Sequence, residues 1–265
     1  MSLARALTIA GSDSGGGAGI QADLRTFAMH CVHGMTALTC VTAQNTVGVQ
    51  RVEGVSPELV KAQIQSVLTD IGVDAAKTGM LLNTEIMHAV ADTLELNPIA
   101  AIVVDPVMVA RTGAVLIDQT SIAVLRDRLL PKALITTPNR YEAQILAEMT
   151  IETVTEMQEA ARIIQRFGPK NVLVKGGGLA RGLQGTDVWF DGTAMQVLVH
   201  ERVDTPHTHG TGCTLAAAMT ANLAQGYAPL EAVQRAKHYV TQALHHALAI
   251  GQGTGPVGHF FPLLV

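Results

Sequence analysis

Ile99-Ala100-Ala101-Ile102-Val103-Val104-Asp105-Pro106-Val107-Met108 is the stretch whose reading decides the fold. From Ile99 to Val104 the run is apolar and rich in β-branched residues, without alternation of polar and apolar positions. A strand of that kind is buried on both faces, as an inner strand of a parallel sheet covered by helices is. It breaks at Asp105-Pro106, so a carboxylate stands at the carboxyl end of the strand, where open α/β sheets place ligands and metals. The competing reading of Asp105 is a local cap for the turn that follows.

Outward from this strand the pattern alternates. On the N-terminal side, Ala6 to Ala10 is a short apolar run ending in the glycine loop Gly11 to Gly19, after which Ile20, Leu24 and Phe27 recur at helical spacing. Gly34 to Ala43 reads as a second strand, left by a loop over residues 44–48. Ser56-Pro57 opens a helix whose Leu59, Gln63, Val67 and Ile71 track one face, and Asn83 caps another that carries Ile86, Val90 and Leu94, with a short strand from Asp74 to Thr78 between them. On the C-terminal side, a helix from Ile117 to Leu130 precedes a strand from Leu134 to Thr137, and Pro138-Asn139-Arg140-Tyr141-Glu142 opens the next helix. A helix from Thr155 to Phe167 leads to a strand from Asn171 to Val174, which delivers Lys175 to Gly178. A hairpin turning at Asp191-Gly192, helices from Thr214 to Gln225 and Leu230 to Ile250, and a glycine-rich tail from Gly251 to Gly258 complete the chain. Strand and helix in alternation predict an α/β fold with a mostly parallel sheet and one antiparallel appendage.

Composition bounds the rest. With 265 residues, 48% hydrophobic and only 3% aromatic, the chain buries one large core of tightly packed small side chains, and a single domain over residues 1–265 is expected. The 18 Lys+Arg against 22 Asp+Glu form no basic run, which argues against nucleic acid as a partner. Cysteines at 31, 40 and 213 form neither a CxxC pair nor a zinc spacing, and their odd number argues against a disulfide framework. No apolar run reaches about 18 residues, so no membrane partner is expected, and the cytoplasm is the expected compartment.

Chemistry concentrates at Thr208-His209-Gly210-Thr211-Gly212-Cys213-Thr214. Two glycines around Thr211 let backbone N–H groups converge just where a helix begins, and the helix dipole adds positive potential there, so the turn suits a phosphoryl group. The first glycine loop fits neither GxGxxG nor GxxxxGK[ST] and reads either as a strand-end turn or as a close approach of backbone to a small ligand. Gln44 offers a donor and an acceptor side by side, matching an aminopyrimidine edge, or else bonds loop backbone. Asn139 and Glu142 share a face at a helix start, where the glutamate complements the dipole or holds Mg²⁺ through oxygen. Lys175 meets a nucleotide phosphate or stays a solvated surface lysine.

Taken together, Ala6 to Asp13, Gly15 to Asp23, Gln44-Asn45-Thr46, Thr137-Pro138-Asn139 with Glu142-Ala143, Lys175-Gly176-Gly177 and His209 to Thr214 resemble the hydroxymethylpyrimidine/phosphomethylpyrimidine kinases of thiamine biosynthesis, nearly end to end. The resemblance implies a three-layer ribokinase-like α/β sandwich, usually dimeric, that transfers the ATP γ-phosphate to a hydroxymethyl group. It implies ATP and Mg²⁺ as cofactors, with a monovalent cation as a further candidate, and a pyrimidine as the small-molecule partner. It assigns the pyrimidine pocket to Gly11, Ala18, Asp23, Gln44, Met80 and Val107, and the nucleotide to Lys175, Thr208 and Asn139. Asp105 and Glu142 are assigned to the metal, and Gly210, Thr211, Gly212 and Cys213 to catalysis, with Cys213 as the base. A thiol in that electropositive turn is expected to have a lowered pKa. The chain departs from the family pattern at Gly178, at Pro206-His207 and at Gly258. The competing functions are a pyridoxal kinase of the same superfamily, which fits Gln44 and Cys213 equally well, a nicotinamide-dependent oxidoreductase, which leaves residues 210–214 unexplained, and a non-enzymatic vitamin-binding protein.

Overall fold

The computed structural model describes residues 3–108, 118–177 and 185–264. Its centre is an eight-stranded sheet in the order β10-β9-β8-β7-β6-β5-β1-β2. The strands are β1 (Arg5–Ala10), β2 (His33–Leu38), β5 (Ala75–Thr78), β6 (Ile102–Val104), β7 (Ile135–Thr136), β8 (Asn171–Lys175), β9 (Thr186–Phe190) and β10 (Met195–Val199). From β2 through β8 neighbouring strands pair in parallel, and β9 and β10 close one edge antiparallel.

The doubly apolar reading of the central strand is visible in its packing. Ile102 and Val104 face one core with α2 (Pro57–Asp70), α3 (Thr84–Leu96), α5 (Arg140–Ala147) and α6 (Val154–Gln165), whereas Val103 faces another with α7 (Thr211–Ala224) and α8 (Pro229–His245). With α1 (Gly19–Met29), packed beside α7 over β1, helices cover both faces of the sheet. The three-layer sandwich expected from the sequence is therefore the fold. Helix α7 is buried all round from Thr214 to Leu223, and its alanines Ala216, Ala217, Ala218 and Ala221 let α1, α8 and the sheet approach closely. No helix among the described residues is long and apolar enough to cross a membrane.

Several boundaries differ from the sequence expectation. The stretch 34–43 is two strands, not one: β2 ends at Leu38, and β3 (Cys40–Asn45) leaves the main sheet to pair with β4 (Gly48–Gly54) as a separate hairpin. Thr39 makes the break: its N–H adds the last rung to Ala10 O, but its Oγ1 turns to Met80 O and its carbonyl accepts from Val55 N beyond the hairpin. Residues 44–48, expected as a loop, contain a tight turn in which Asn45 Oδ1 accepts from the N–H groups of Val47 and Gly48. Helix α2 starts at the expected Ser56 cap but buries Val60 and Ile64 and leaves Leu59 and Ile71 exposed, so its inward face is turned by one residue from the expected one. The expected helix 117–130 starts outside the described residues; from Gln119 it is an α-helical turn, α4 (Gln119–Val124), widening over Leu125–Leu129 and tightening over Leu130–Lys132. Helix α8 ends at His245, and the glycine-rich tail folds back, with His209 N donating to Gly255 O and Val257 N to His209 O.

Candidate active site

The carboxyl ends of β1, β5, β6, β7 and β8 open on one side of the sheet, and the chain runs from β1 to β2 on one flank and to β5 on the other. A crevice at such a switch point is where open α/β sheets bind ligands.

One end of this crevice is charged. Asp105, next after β6, is 4% exposed; Thr137 Oγ1 donates to its Oδ1 at 2.9 Å and Lys175 Nζ lies 3.2 Å from the same oxygen. Glu142 is buried beside them. Its Oε2 accepts from Asn139 N at 2.8 Å while Asn139 Oδ1 accepts from Glu142 N at 3.0 Å, a capping box that starts α5. The helix-start reading of this pair is thus observed, with the capping carboxylate lying at the strand ends beside Asp105. Burial pushes the Glu142 carboxyl up to about 7, with Asp105 adding to the rise and Lys175 opposing it. Burial works against the Lys175 ammonium, but Asp105 and Glu142 together hold its pKa above the ordinary lysine range. Two buried carboxylates against one ammonium leave negative charge uncompensated.

Above this cluster sits the start of α7. A Cβ added to Gly212 would stand 3.7 Å from Lys175 Nζ and 4.0 Å from Asp105 Oδ2, so the turn lies directly on the charged group. Gly210 has φ +82° and no side chain caps the helix; Thr211 Oγ1 instead folds back onto Thr208 O at 2.7 Å. A Cβ on Gly210 would collide with the Gly17 carbonyl, which is why the two glycine loops can pack together. First-turn N–H groups have no intrahelical acceptors, so this end of α7 can cradle an anion.

Cys213, in that first turn, is half-buried. Burial pushes its thiol up to about 11, with Asp23 and Asp105 adding to the rise and Lys77 and the Gly19 N–H opposing it. The expected lowering is therefore corrected for the free protein. The cations near the thiol are already engaged by carboxylates, Lys77 by Asp23 and Lys175 by Asp105.

The other end of the crevice is built from backbone, apolar side chains and a carboxamide, with Asp13 beneath them. Gly11 N donates to Met80 O at 3.2 Å, and a Cβ on Gly11 would stand 2.5 Å from Cys40 Sγ and 2.9 Å from Met80 Cε. Ala18 N donates to Asp13 Oδ2 at 2.8 Å, and Gln44, near the end of β3, places its carboxamide 3.3 Å from His209 Nε2. Val107 turns back at the edge of the crevice, its N–H on Asp105 O at 2.9 Å. Asp23 does not line the opening. It is fully buried, with Thr8 Oγ1 at 2.7 Å and Lys77 Nζ at 3.0 and 2.9 Å on its carboxylate, so it supports the wall from beneath and offers a ligand no free atom.

The family described as phosphomethylpyrimidine kinase matches residues 13–258. The chain belongs to that family. It is therefore a kinase, a phosphotransferase. A hydroxymethylpyrimidine/phosphomethylpyrimidine kinase of Synechococcus elongatus is 61% identical over 99% of this chain and 100% of its own length, and one of Bacillus subtilis is 44% identical over 98% and 96%. Among solved structures, an ADP complex of Bacillus subtilis pyridoxal kinase superposes with a TM-score of 0.93 at 41% identity, covering 100% of both chains.

Two of the chain's departures from the family pattern lie at the folded-back tail. His207 Nδ1 accepts from Gly255 N at 3.1 Å, and a Cβ on Gly258 would collide with the His246 carbonyl, so both hold the folded-back tail; Gly178 lies outside the described residues. Sequence reasoning missed three side chains. Lys77 is a lysine inside an apolar strand, itself a sign of a paired buried cation. Asp13 in the first glycine loop accepts from the N–H groups of Gly15, Gly17 and Ala18, and its Oδ2 lies 2.8 Å from His209 Nε2. Nothing in the spacing of Asp13 and His209 reveals that these two meet.

Proposed function

We propose that the protein transfers the γ-phosphate of ATP to the hydroxymethyl group of 4-amino-5-hydroxymethyl-2-methylpyrimidine, and to the phosphate of its monophosphate, in thiamine biosynthesis. The observation that carries this reading is the junction of three parts in one crevice: an uncapped glycine turn at a helix start, the Asp105–Lys175–Glu142 cluster under it, and a carboxamide at the other end tied to that turn through His209.

With the alcohol bound, its oxygen attacks the γ-phosphorus, the bond from phosphorus to the β–γ bridging oxygen breaks, ADP leaves, and the hydroxyl proton passes to Cys213 Sγ. The N–H groups of residues 210–213 and Lys175 hold the charge that builds on the phosphoryl oxygens, with Thr208 and Asn139 bordering the nucleotide. Asp105 and Glu142 fit a Mg²⁺ ion: Mg²⁺ takes one or two protein carboxylates with waters and phosphate oxygens, and this pair has negative charge to spare. Bound there, Mg²⁺ would neutralise phosphate charge. Gly11, Ala18, Gln44, Met80 and Val107 enclose the pyrimidine, with Asp23 behind them. Membership of a usually dimeric family and the exposed hairpin valines Val41, Val47, Val49 and Val52 support a homodimer in one continuous domain.

A pyridoxal kinase is the second reading, favoured by the superposition on such an enzyme over the whole chain. ADP release in the presence of ATP and Mg²⁺ separates the two. The pyrimidine alcohol and its monophosphate should each support turnover with a kcat/KM well above that of pyridoxal; ADP formation with pyridoxal alone would replace the first reading by the second.

A further inference from the structure

Asp13, His209 and Gln44 come from the first glycine loop, the residue before the second glycine turn, and the hairpin, and they form a line. His209 Nε2 is 2.8 Å from Asp13 Oδ2 and 3.3 Å from the Gln44 carboxamide nitrogen. Asp13 is an ionised acceptor: burial opposes its charge, but His209 and the N–H groups of Ala18 and Gly15 outweigh it and hold its pKa low. A carboxylate at 2.8 Å requires the hydrogen on His209 Nε2, because two acceptors facing each other repel. An Nε2–H group in turn cannot face the NH₂ of a carboxamide. The two ends of a carboxamide have the same shape, so hydrogen bonding decides between them. Turned over, Gln44 brings Oε1 to the same N–H, whose single hydrogen is then shared in a three-centre bond, the main part to Asp13 Oδ2 and the lesser part to Gln44 Oε1.

We infer that the Asp13–His209 pair is the specificity-determining device of the site, fixing Gln44 with its oxygen toward His209 and its NH₂ toward the crevice. This inference rests on the proposed pyrimidine kinase reading and deepens it. Gln44 Oε1 keeps a second lone pair for an exocyclic amine on the His209 side, and Nε2 donates to the adjacent ring nitrogen. An amine on that side places the neighbouring ring substituent, the hydroxymethyl group, toward the turn that begins at residue 210. His209 is thus a positioning residue, held by backbone bonds on both sides, His209 N to Gly255 O at 3.1 Å and Val257 N to His209 O at 3.2 Å. Packing against Gly17, where a Cβ would meet the imidazole, fixes its ring as well.

The test is a double-mutant cycle on His209→Ala and Gln44→Leu, read as the ratio of kcat/KM for the 4-amino pyrimidine alcohol to that for its analogue lacking the 4-amino group. His209→Ala should lower this ratio roughly tenfold, since the freed carboxamide presents NH₂ to an amine as readily as oxygen. In the Gln44→Leu background, His209→Ala should leave the ratio unchanged. His209→Gln, whose amide N–H can donate to Asp13, should restore part of the ratio. An unchanged ratio in folded His209→Ala, or the same loss with and without Gln44, overturns the inference. The same cycle read by calorimetric affinity for the two pyrimidines gives the answer independently of turnover, so failure of phosphoryl transfer in the wild type counts against the kinase reading and not against the positioning of Gln44.

Discussion

Two lysines, Lys77 buried and Lys175 partly so, lie beneath the same helix start, and their surroundings differ in one respect. Lys77 and Asp23 are both fully buried, and the pair is closed: both carboxylate oxygens lie within 3.0 Å of the ammonium, and Thr8 adds a further bond. Lys175 and Asp105 make a single contact at 3.2 Å at the mouth of the crevice, with Glu142 as a second acid beside them. The first arrangement balances its charge internally and can only support structure. The second leaves charge and hydrogen-bonding capacity for something brought from outside, which is what a site for phosphate and a cation requires. A buried ion pair is therefore no sign of function in itself; its incompleteness is.

Breaking the closed pair should have the larger effect on folding. Lys77→Met leaves Asp23 buried with one hydroxyl for company, and unfolding in urea should show a loss of about 3–5 kcal/mol. A variant as stable as the wild type would contradict the division of labour drawn here. Lys175→Met, in contrast, should lower kcat about 10²–10³-fold, the cost of losing one donor to transition-state charge, while stability falls less than in Lys77→Met. Asp105 retains Thr137, and Glu142, already near 7, takes up a proton readily. A Lys175→Met enzyme with normal kcat would move phosphate binding elsewhere.

His259 shows the same contrast in a buried group held by a hydroxyl. His259, 2% exposed, lies with Nε2 2.9 Å from Thr214 Oγ1, which donates to Gly210 O at 2.8 Å, so the imidazole braces the glycine turn from behind. Burial lowers its pKa to about 4, helped by Arg25 and His209, whereas in the unfolded chain it titrates near 6.5. Between these values the unfolded state binds the proton and the folded state does not, so stability falls as pH drops from about 6.5 to about 4. The full difference is worth roughly 3 kcal/mol. Denaturation of wild type and His259→Gln across that window should converge toward low pH; parallel curves would show that His259 is not buried neutral. Gln44→Leu should have the smallest effect, a fall of about 5- to 150-fold in kcat/KM for the pyrimidine at unchanged stability, and unchanged kinetics would return Gln44 to a backbone-bonding role.

Much of this was legible in the sequence because it depends on local pattern. The apolar run Ile99 to Val104, the caps Ser56, Asn83 and Asn139, and the glycines around Thr211 each declare a strand end or a helix start through neighbouring residues alone. The split at Thr39 was hidden, since a Thr- and Val-rich stretch reads as one strand whether or not its middle residue turns its hydroxyl to Met80 and its carbonyl to Val55. Asp23 was misplaced for a related reason. Its position in the helix after the first loop says that it faces inward, but only the sheet shows that Lys77 meets it there. The rise in the Cys213 pKa was equally invisible, because a sequence shows which cations are near a helix start and not which are already paired.

The assignment of Cys213 as proton acceptor is tested most directly by the pH dependence of kcat/KM, which reports the free enzyme. With the thiol near 11, only a small fraction is ionised at neutral pH, so kcat/KM should rise about tenfold per pH unit over the alkaline range below that value. Cys213→Ala, compared at saturating ATP and pyrimidine, should lose about 10²–10⁴-fold in kcat and show no such rise, while still binding both substrates through the intact backbone turn. A Cys213→Ala enzyme that keeps most of its kcat, or that retains the alkaline limb, would contradict the assignment and leave transfer to the turn, Lys175 and water.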